Sequence, residues 1–243
     1  MNERPSVSVA LAAYNGSLYL REQLDSILMQ LGKNDEVIVS YNQSNDSTLQ
    51  ILTEYEDRDN RIKVINCKES GVIPNFENAI KNCKNDIVFL SDQDDVWIAD
   101  KVAIMLPYFK NVDIGCVVHG SELVDEKLVP LGDSKINVKR NKYLNRLRVI
   151  VKNPVQGSCM AFRSKYIESI TPIPRTVPMH DSWIALVISF FSKVLLIPDK
   201  LILYRQHGKN VTSRTHQKIG KMISDRCHLI NDYAKRKADL RRI

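Results

Sequence analysis

The stretch Ile87-Val88-Phe89-Leu90-Ser91-Asp92-Gln93-Asp94-Asp95-Val96-Trp97 indicates both the fold and the chemistry of this chain. Its four leading apolar residues show no helical period, which predicts a strand buried on both faces. The strand runs into Asp92, Asp94 and Asp95, three carboxylates that repel one another unless a cation lies among them. A hard divalent ion such as Mg²⁺ or Mn²⁺ relieves that repulsion and brings substrate phosphates as further ligands. Because ligands bind at the carboxyl ends of strands in open α/β sheets, we expect a site for a metal and a diphosphate here.

Two other interpretations of this acidic segment remain open. It could be an acidic turn that caps the following helix, with Asp95 or Asp100 near the helix N-terminus. The pattern Asp92-x-Asp94-x-Val96 after an apolar strand also fits a phosphatase of the haloacid dehalogenase type, in which the first Asp is the nucleophile. That motif normally follows the first strand of its fold, whereas three strands are predicted to precede it here.

Strands and helices alternate before the acidic segment. Residues 7–13, 36–40 and 61–65 have the pattern of buried strands. Helices between them are predicted from apolar residues at helical spacing: Leu20, Leu24, Ile27, Leu28 and Leu31; Leu49, Ile51 and Leu52; Phe76, Ala79 and Ile80. This alternation predicts an α/β fold with a doubly wound, mostly parallel sheet. The first turn, residues 12–16, has a single glycine and so lacks the G-x-G-x-x-G motif, and there is no Walker A sequence, which argues against dinucleotide-dependent oxidoreductases and P-loop kinases.

Charge is unevenly distributed along the 243 residues, which carry a formal net charge of +7. Residues 1–110 contain 11 Lys/Arg and 17 Asp/Glu, whereas residues 111–243 contain 24 and 11. The basic half should therefore face an anionic partner, such as a diphosphate, a membrane surface or a nucleic acid. No recognisable nucleic-acid-binding module accompanies the charge, so we do not expect nucleic acid as a partner.

Cysteine usage and hydropathy indicate a cytoplasmic protein. The five cysteines are scattered without a CxxC pair, which suits a reducing compartment. The N-terminal residues form no apolar signal region, and the longest apolar stretch, residues 183–197, is too short to span a bilayer. The protein is therefore expected in the cytoplasm, with peripheral contact to the inner face of the cell membrane as a further hypothesis.

The second half contains three segments of functional interest. Residues 156–163 are predicted to be a strand, and a proline-punctuated loop then leads to Asp181, either as the N-cap of an apolar helix or as a carboxylate aimed into a cleft. Residues 135–152 carry seven basic residues and no acidic one, which fits either a solvated helix or a basic flap over an anionic ligand. From Lys218 a basic amphipathic helix is predicted, either packed on the body or lying on an anionic membrane. Its apolar face would comprise Ile219, Met222, Ile223, Ile230, Tyr233 and Ala234.

Several motifs together resemble one known family. They are Ala12-Ala13-Tyr14-Asn15-Gly16, Ser44-Asn45-Asp46-Ser47-Thr48, Gly71-Val72-Ile73-Pro74-Asn75-Phe76, Ser91-Asp92-Gln93-Asp94-Asp95-Val96-Trp97, Gln156-Gly157-Ser158-Cys159-Met160-Ala161-Phe162-Arg163, Met179-His180-Asp181 and Tyr204-Arg205-Gln206-His207-Gly208-Lys209-Asn210-Val211. In number and order they resemble an inverting family 2 glycosyltransferase of the GT-A fold, nearest to the bacterial rhamnosyltransferase-like branch that assembles surface polysaccharides. The resemblance covers roughly residues 6–213.

This resemblance implies roles for individual residues. Asp92 and Asp94 would form the D-x-D motif, with Asp92 near the donor ribose, Asp94 on a Mn²⁺ or Mg²⁺ ion, and Asp95 beside the donor sugar. Asp181 would be the catalytic base, and His207 would complete the metal site. The nucleotide pocket would be lined by Ala12, Tyr14 and Asn15, with Asn75 and Gln93 as further nucleotide-sugar-binding positions.

One departure from the family pattern concerns the end of the second strand. The family usually has an acidic pair there, whereas this chain has Ser40-Tyr41-Asn42-Gln43, and Asp46 is the nearest acid. Asn42 could hydrogen-bond the base and Tyr41 could stack on it. The donor is expected to be a dTDP- or UDP-linked sugar and the acceptor a polysaccharide or lipid-linked oligosaccharide. A non-catalytic nucleotide-sugar-binding subunit is the alternative.

The chain is expected to have three parts. Residues 1–110 would form the nucleotide-sugar-binding half and residues 111–215 the acceptor-binding, catalytic half of the same domain. Residues 216–243 would form the basic C-terminal helix.

Overall fold

The structure is a computed structural model that describes residues 4–133, 139–151, 153–208 and 219–241. Its first half alternates strands and helices as the sequence predicts. The strands are β1 (Val7–Ala13), β2 (Glu36–Tyr41), β3 (Ile62–Asn66) and β4 (Ile87–Asp92); the helices are α1 (Leu20–Leu28), α2 (Thr48–Arg58) and α3 (Val72–Asn82). The apolar run of β4 is fully buried, which confirms the interpretation of this strand.

The second half has longer strands and shorter helices. Its elements are β5 (Val96–Trp97), α4 (Lys101–Met105), β6 (Ile114–Val124), β7 (Pro130–Asp133), β8 (Lys142–Tyr143), α5 (Arg146–Val151), β9 (Met160–Arg163), α6 (Ile167–Ile170), α7 (His180–Phe191), β10 (Lys193–Arg205) and α8 (Ile219–Leu240). Short 3-10 turns occupy Leu106–Lys110, Gly157–Cys159 and Ser164–Tyr166.

All ten strands in the described part of the chain join one sheet. The order is β3-β2-β1-β4-β9-β6-β10-β5, with β7 added to β6 and β8 added to β10. Strands β1 to β4 are parallel, whereas β9 runs antiparallel to both of its neighbours, β4 and β6. Because β10 is parallel to β6, the carboxyl ends of β1, β4, β6 and β10 meet at one edge of the sheet. The predicted mixed α/β fold is confirmed, and this edge is where a ligand is expected.

In the second half, the predicted strand at 156–163 is only partly correct, and one of the two interpretations of Asp181 is wrong. Only the last four residues of segment 156–163 form a strand, because Gly157–Cys159 turn as a 3-10 helix first. Segment 193–205 is a single strand, β10, whose register shifts against β6 accommodate its irregular middle. Asp181 is not an N-cap, since Met179 occupies that position and Asp181 is the second residue of α7.

Helix α8 is confirmed, and its packed face agrees with the predicted one only in part: Tyr233 packs against the core, as predicted. Leu229 is 2% exposed, whereas Ile223 and Ile230 are 58% and 46% exposed. Arginines anchor the helix to the body: Arg226 donates to the carbonyl oxygen of Val151, and Arg236 donates to those of Ser169, Thr171 and Pro172. Arg226 and Arg236 therefore turn inward beside Leu229 and Tyr233, because long side chains bury their aliphatic stems while their heads reach backbone acceptors, whereas Lys221 and Lys235 stay exposed.

The basic run 135–152 does not form one helix. Its described parts are strand β8, paired with β10, and helix α5, of which Val149 is buried. Residues 134–138 and 152 lie outside the described residues, as do Lys209 and residues 210–218. All five cysteines are free thiols. Among the described residues, none of the helices combines the length and the apolar character needed to cross a membrane.

Candidate active site

A cavity of about 660 Å³ opens at the carboxyl edge of the sheet. Ten of the predicted site residues line it: Ala12, Tyr14, Asn15, Asn42, Asn75, Asp92, Gln93, Asp94, Asp181 and His207. They come from strand ends and helix starts in both halves of the chain, because the parallel strands end on the same side. The structure thus brings the acidic motif, the proposed base and the histidine to one space.

Three predicted site residues do not line this cavity. Tyr41 is 7% exposed and its hydroxyl accepts a hydrogen bond from the Ser44 amide at 2.9 Å, so its ring is not available for stacking in this arrangement. Asp46 accepts hydrogen bonds from the amides of Ser17 and Thr48 at 3.1 and 3.0 Å. Burial raises the pKa of Asp46, but the hydrogen bond from the Thr48 hydroxyl, together with those from the amides, outweighs it and holds the pKa below its ordinary value. Both side chains organise the loops behind the cavity wall.

Asp95, the third of these residues, is completely buried beneath the acidic turn. Its Oδ1 accepts a hydrogen bond from the Arg205 amide at 3.3 Å, whereas Oδ2 has no hydrogen-bond partner among the described residues. Burial, followed by the negative charges of Asp94 and Asp92, raises the pKa of Asp95 well above its ordinary value. This carboxyl therefore supports the turn from below rather than reaching into the cavity.

The β1 and β4 ends are joined by Gln93. Its side-chain amide donates to the carbonyl oxygen of Tyr14 and accepts from the Tyr14 amide, both at 2.7 Å. A Cβ atom on Gly16 would collide with this amide, so a side chain at position 16 would displace Gln93 from these hydrogen bonds. The paired hydrogen bonds fix the first turn, which lines the cavity, against the acidic turn.

Asp94 and His207 form the pair best suited to hold a divalent cation. His207 Nε2 lies 2.8 Å from Asp94 Oδ2, and the His207 ring stacks on Tyr19 at a centroid distance of 5.1 Å. Within the described residues no group of three or more His, Cys, Asp or Glu side chains is arranged to hold a metal. Two protein ligands still fit Mg²⁺ or Mn²⁺, which take most of their remaining ligands from substrate phosphates and water.

Asp92 lies in a strongly negative environment. Burial raises its pKa to about 7, and the charges of Asp94 and Asp181 contribute to this shift. Since Asp94 belongs to the first half and Asp181 to the second, the two proposed functional carboxylates act on the same group. A cation bound in this cavity would lower the repulsion among them.

The side chain of Arg205 is buried among protein groups and does not face solvent. It is 2% exposed, and its guanidinium donates to the carbonyl oxygens of Asp94 and Glu126 at 2.9 and 2.6 Å and to the carboxylate of Glu22. The ring of Tyr19 lies 4.5 Å from the guanidinium carbon. Arg205 therefore fixes the end of β10 to the acidic turn.

Asp181 is presented by the first turn of α7 and is 7% exposed. Its Oδ1 accepts hydrogen bonds from the Ser182 amide and from Asn153 Nδ2, the latter at 3.0 Å. These donors hold the carboxylate in one orientation at the cavity wall. A carboxylate in this position can accept a proton from a hydroxyl group bound in the cavity.

Sequence reasoning missed several residues that support the site. Asn153 lies between α5 and β9 and carries no motif signal. Lys101 is fully buried, donates to the carbonyl oxygen of Ser158 at 2.9 Å and lies 4.1 Å from the Trp97 ring centroid. Burial lowers its pKa to about 7. A lysine on the apolar face of the helix that follows the acidic motif was the available signal.

Comparison with known proteins gives a consistent family match. The model of the family described as "Glycosyl transferase family 2" matches residues 8–171. An uncharacterized glycosyltransferase of Haemophilus influenzae is 29% identical over 231 residues, covering 88% of this chain and 69% of that protein. The putative teichuronic acid biosynthesis glycosyltransferase TuaG of Bacillus subtilis is 30% identical over 131 residues, covering 54% of this chain and 52% of its own. This match favours the glycosyltransferase hypothesis over the phosphatase one.

Solved structures of the GT-A fold are similar to this one. TarS residues 1–349 of S. aureus in complex with UDP-GlcNAc has a TM-score of 0.72 at 16% identity, covering 95% of this chain and 66% of that one. The mannosyltransferase PcManGT of Pyrobaculum calidifontis, in complex with GDP-Man and Mn²⁺, has a TM-score of 0.66 at 18% identity, covering 86% and 59%. The chain spans 66% of a Nostoc relative and 39% of a Rickettsia felis relative, both uncharacterized glycosyltransferases.

Proposed function

Because the chain belongs to glycosyl transferase family 2, we propose that it transfers a sugar from a nucleoside diphosphate donor to a hydroxyl group of a saccharide acceptor, with inversion. The observation that carries this proposal is the meeting of Asp94 and Asp181, from opposite halves of the chain, on one cavity of about 660 Å³. Cavities of this volume accommodate a nucleotide-sized ligand.

Asp181 acts as the base in this mechanism. The acceptor hydroxyl has a pKa far above neutrality, so a base within hydrogen-bond reach must take its proton as the new bond forms. The hydrogen bond from Asn153 keeps the carboxylate oriented for that transfer. A single displacement at the anomeric carbon inverts its configuration, and the nucleoside diphosphate leaves with increased negative charge.

Asp94 and His207 would hold a divalent ion, Mn²⁺ or Mg²⁺, which supplies positive charge for the leaving diphosphate when bound. The support is the 2.8 Å contact between the two side chains on the cavity wall. A carboxylate and an imidazole together suit Mn²⁺ at least as well as Mg²⁺. Asp92, which lines the same cavity, is proposed to meet the donor ribose.

Asn42 is compatible with a donor that carries a uracil or thymine base. Its Nδ2 donates to the carbonyl oxygens of Cys67 and Glu69, both at 3.0 Å, and its backbone amide donates to Ala13. With both side-chain hydrogens used, the amide can only accept a further hydrogen bond. The N3–H group of uracil or thymine is a suitable donor, as is the N1–H group of guanine, so Asn42 is compatible with the UDP- or dTDP-linked sugar that we propose. Ala12, Tyr14, Asn15, Asn75 and Gln93 would lie at the pocket wall around it.

The three-part division of the chain remains a proposal. Residues 1–110 would bind the donor, residues 111–215 would bind the acceptor, and residues 216–243 would form the basic helix. We also propose that the chain belongs to the rhamnosyltransferase-like branch and helps to assemble bacterial surface polysaccharide. In that case a lipid-linked acceptor would lie at the inner face of the membrane. Exposed Leu147 and Val151 on α5 and Ile223 on α8, near exposed Arg146 and Arg148, support peripheral contact with an anionic bilayer.

A ligand panel tests the donor site. Thermal unfolding is measured with UDP, dTDP, GDP and their sugar conjugates, with and without Mn²⁺. A ligand at about 100 times its Kd adds roughly 2.7 kcal/mol to the free energy of unfolding. We expect one nucleotide class to stabilise the chain in a Mn²⁺-dependent manner and Asp94→Asn to remove the dependence. Asp57→Asn, on the exposed face of α2, is the matched control and should behave as the parent.

The outcomes separate the proposal from its alternative. If no nucleotide stabilises the chain under either condition, the proposed donor site is wrong. If nucleotide sugars bind but no acceptor hydroxyl is glycosylated with any bound donor, the result supports the alternative hypothesis of a non-catalytic nucleotide-sugar-binding subunit.

A further inference from the structure

Two polar side chains in the cavity wall have buried atoms without hydrogen-bond partners among the described residues. These atoms are both ring nitrogens of His180 and Oδ1 of Asn75, and each side chain is 2% exposed. Asn75 still donates from Nδ2 to the carbonyl oxygen of Ala13 at 3.2 Å, whereas neither nitrogen of His180 is paired. Buried polar groups are nearly always hydrogen-bonded, so an imidazole with two unpaired nitrogens calls for a missing partner.

The surroundings of His180 fit the shape of its ring but not its polarity. The ring stacks on Phe76 with a centroid distance of 4.0 Å and an interplanar angle of 22°. On another side lies Gly157, where a Cβ atom would come within 2.6 Å of His180 Nε2. A phenylalanine would fill the same slot without losing any hydrogen bond to the protein. Packing alone therefore does not explain a histidine here.

The location of His180 identifies the missing partner. It is the first residue of α7, directly before Asp181, and it lines the cavity together with Phe76 and Gly157. Burial lowers the pKa of His180 to about 3, so the ring is neutral near pH 7 and offers one donor and one acceptor. A sugar hydroxyl also donates and accepts one hydrogen bond, whereas a phosphate oxygen only accepts.

We propose that His180 is a specificity-determining residue that hydrogen-bonds a hydroxyl group of the donor sugar. The inference rests on the proposed function and names the part of the donor that this side chain recognises. The donor is favoured over the acceptor because the ring lies between Phe76 of α3 and Gly157, whose 3-10 turn packs against β4, the strand that ends in Asp92. The ring thus faces the part of the cavity wall around the D-x-D motif, where the donor is proposed to bind. Asp181 then serves the acceptor hydroxyl.

The test compares each nucleoside diphosphate with its sugar conjugate by titration calorimetry in Mn²⁺: UDP with UDP-GlcNAc, GDP with GDP-Man, and dTDP with dTDP-rhamnose. In the parent, the ratio of the two Kd values measures the contribution of the sugar. His180→Phe, which keeps the stacking on Phe76, should reduce that ratio about fivefold to tenfold and leave the Kd of the free diphosphate unchanged. The matched control His228→Phe, on the exposed side of α8, should leave both values unchanged.

Stability separates a recognition role from a structural one. Because the nitrogens of His180 have no described partner, His180→Phe should unfold at the same temperature as the parent or at a higher one. His180→Gln, whose amide both donates and accepts, should recover part of the sugar contribution. Gly157→Ala, which crowds Nε2, provides a second variant and should reduce the same ratio.

Three results would overturn the inference: an unchanged Kd ratio in His180→Phe and Gly157→Ala, an equal loss of diphosphate and sugar-conjugate binding, or a lower unfolding temperature for His180→Phe. Failure of every diphosphate to bind the parent is a different result, since it contradicts the donor site itself.

Discussion

At the residue scale, the proposed base gives the sharpest test of the mechanism. Asp181→Asn keeps the size of the side chain and its place on α7 but removes the proton acceptor. General base catalysis contributes about 10² to 10⁴ in rate, so transfer should fall by at least about 100-fold while donor binding is unchanged. Initial rates with a bound donor and acceptor, alongside calorimetric titration of the donor, provide the measurement. Transfer at the parental rate would remove Asp181 from the mechanism.

The proposed role of Asn153 in orienting Asp181 can also be tested by mutation. Its Nδ2 donates to Asp181 Oδ1 at 3.0 Å, and removing one hydrogen bond that orients a reacting group costs about 1 kcal/mol. Asn153→Ala should therefore lower kcat about fivefold without changing the Kd of the donor. Asn141→Ala is the matched control, because Asn141 precedes β8 and its side chain is exposed. An unchanged kcat in Asn153→Ala would show that the hydrogen bond from Asn153 is not needed to orient the base.

Sequence reasoning could identify a residue type in a motif but not a side chain's direction. Asp92, Asp94 and Asp181 were proposed from their motifs, and all three line the cavity. Asp95 stands in the same motif, yet it is completely buried, because the chain bends at Gln93 and Asp94 and its carboxylate accepts from the Arg205 amide. Tyr41 was expected to stack on the nucleotide base because it ends the second strand, but its hydroxyl accepts a hydrogen bond from the Ser44 amide instead. Asn153 has no motif at all, so only the fold brings it to Asp181.

At the element scale, the end of β10 is held by one buried arginine. Arg205 satisfies two carbonyl oxygens of loops that are far apart in sequence and pairs with Glu22 on α1. Arg205→Met leaves these acceptors unpaired and should lower the free energy of unfolding by roughly 2 to 4 kcal/mol. Denaturant unfolding followed by circular dichroism measures this change.

Arg21→Met is the matched comparison for that substitution. Arg21 also pairs with a glutamate, Glu54, but at the exposed surface of neighbouring helices. Solvent-exposed ion pairs contribute little, so this variant should stay close to the parent. Equal destabilisation by the two substitutions would mean that the buried contacts of Arg205 do not hold the acidic turn.

The strands of the first half were predictable because each is a short apolar run between turn residues. The elements of the second half were harder to place for a physical reason. Segment 156–163 has the composition of a strand, but Gly157 must leave room for the His180 ring, and the chain turns before β9 begins. The apolar residues of α8 predicted its packed face only in part, since Tyr233 packs on the core but Arg226 and Arg236 also turn inward to backbone acceptors on the body. Such contacts between distant segments have no local sequence signal.

At the scale of the whole molecule, the charge division between the two halves predicts where the protein meets a membrane. The exposed residues Arg146, Leu147 and Arg148 lie on α5, and Arg226 joins α8 to the last residue of that helix. Basic residues near an anionic bilayer contribute about 1 kcal/mol each, so Arg146→Gln/Arg148→Gln should weaken binding about 30-fold. Co-sedimentation with phosphatidylglycerol-containing vesicles measures this, with pure phosphatidylcholine vesicles as the uncharged reference.

The matched control for this surface is Arg21→Gln/Arg58→Gln, which removes two exposed arginines from α1 and α2 of the acidic half. Binding by the parent should fall with added salt, because the interaction is screened over about 10 Å at 0.1 M. Ile223→Ser should weaken binding without changing its salt dependence, since it removes only apolar area. Equal binding to both vesicle types, or an equal loss of binding in the control variant, would show that the exposed surface of α5 and α8 is not the membrane-binding surface.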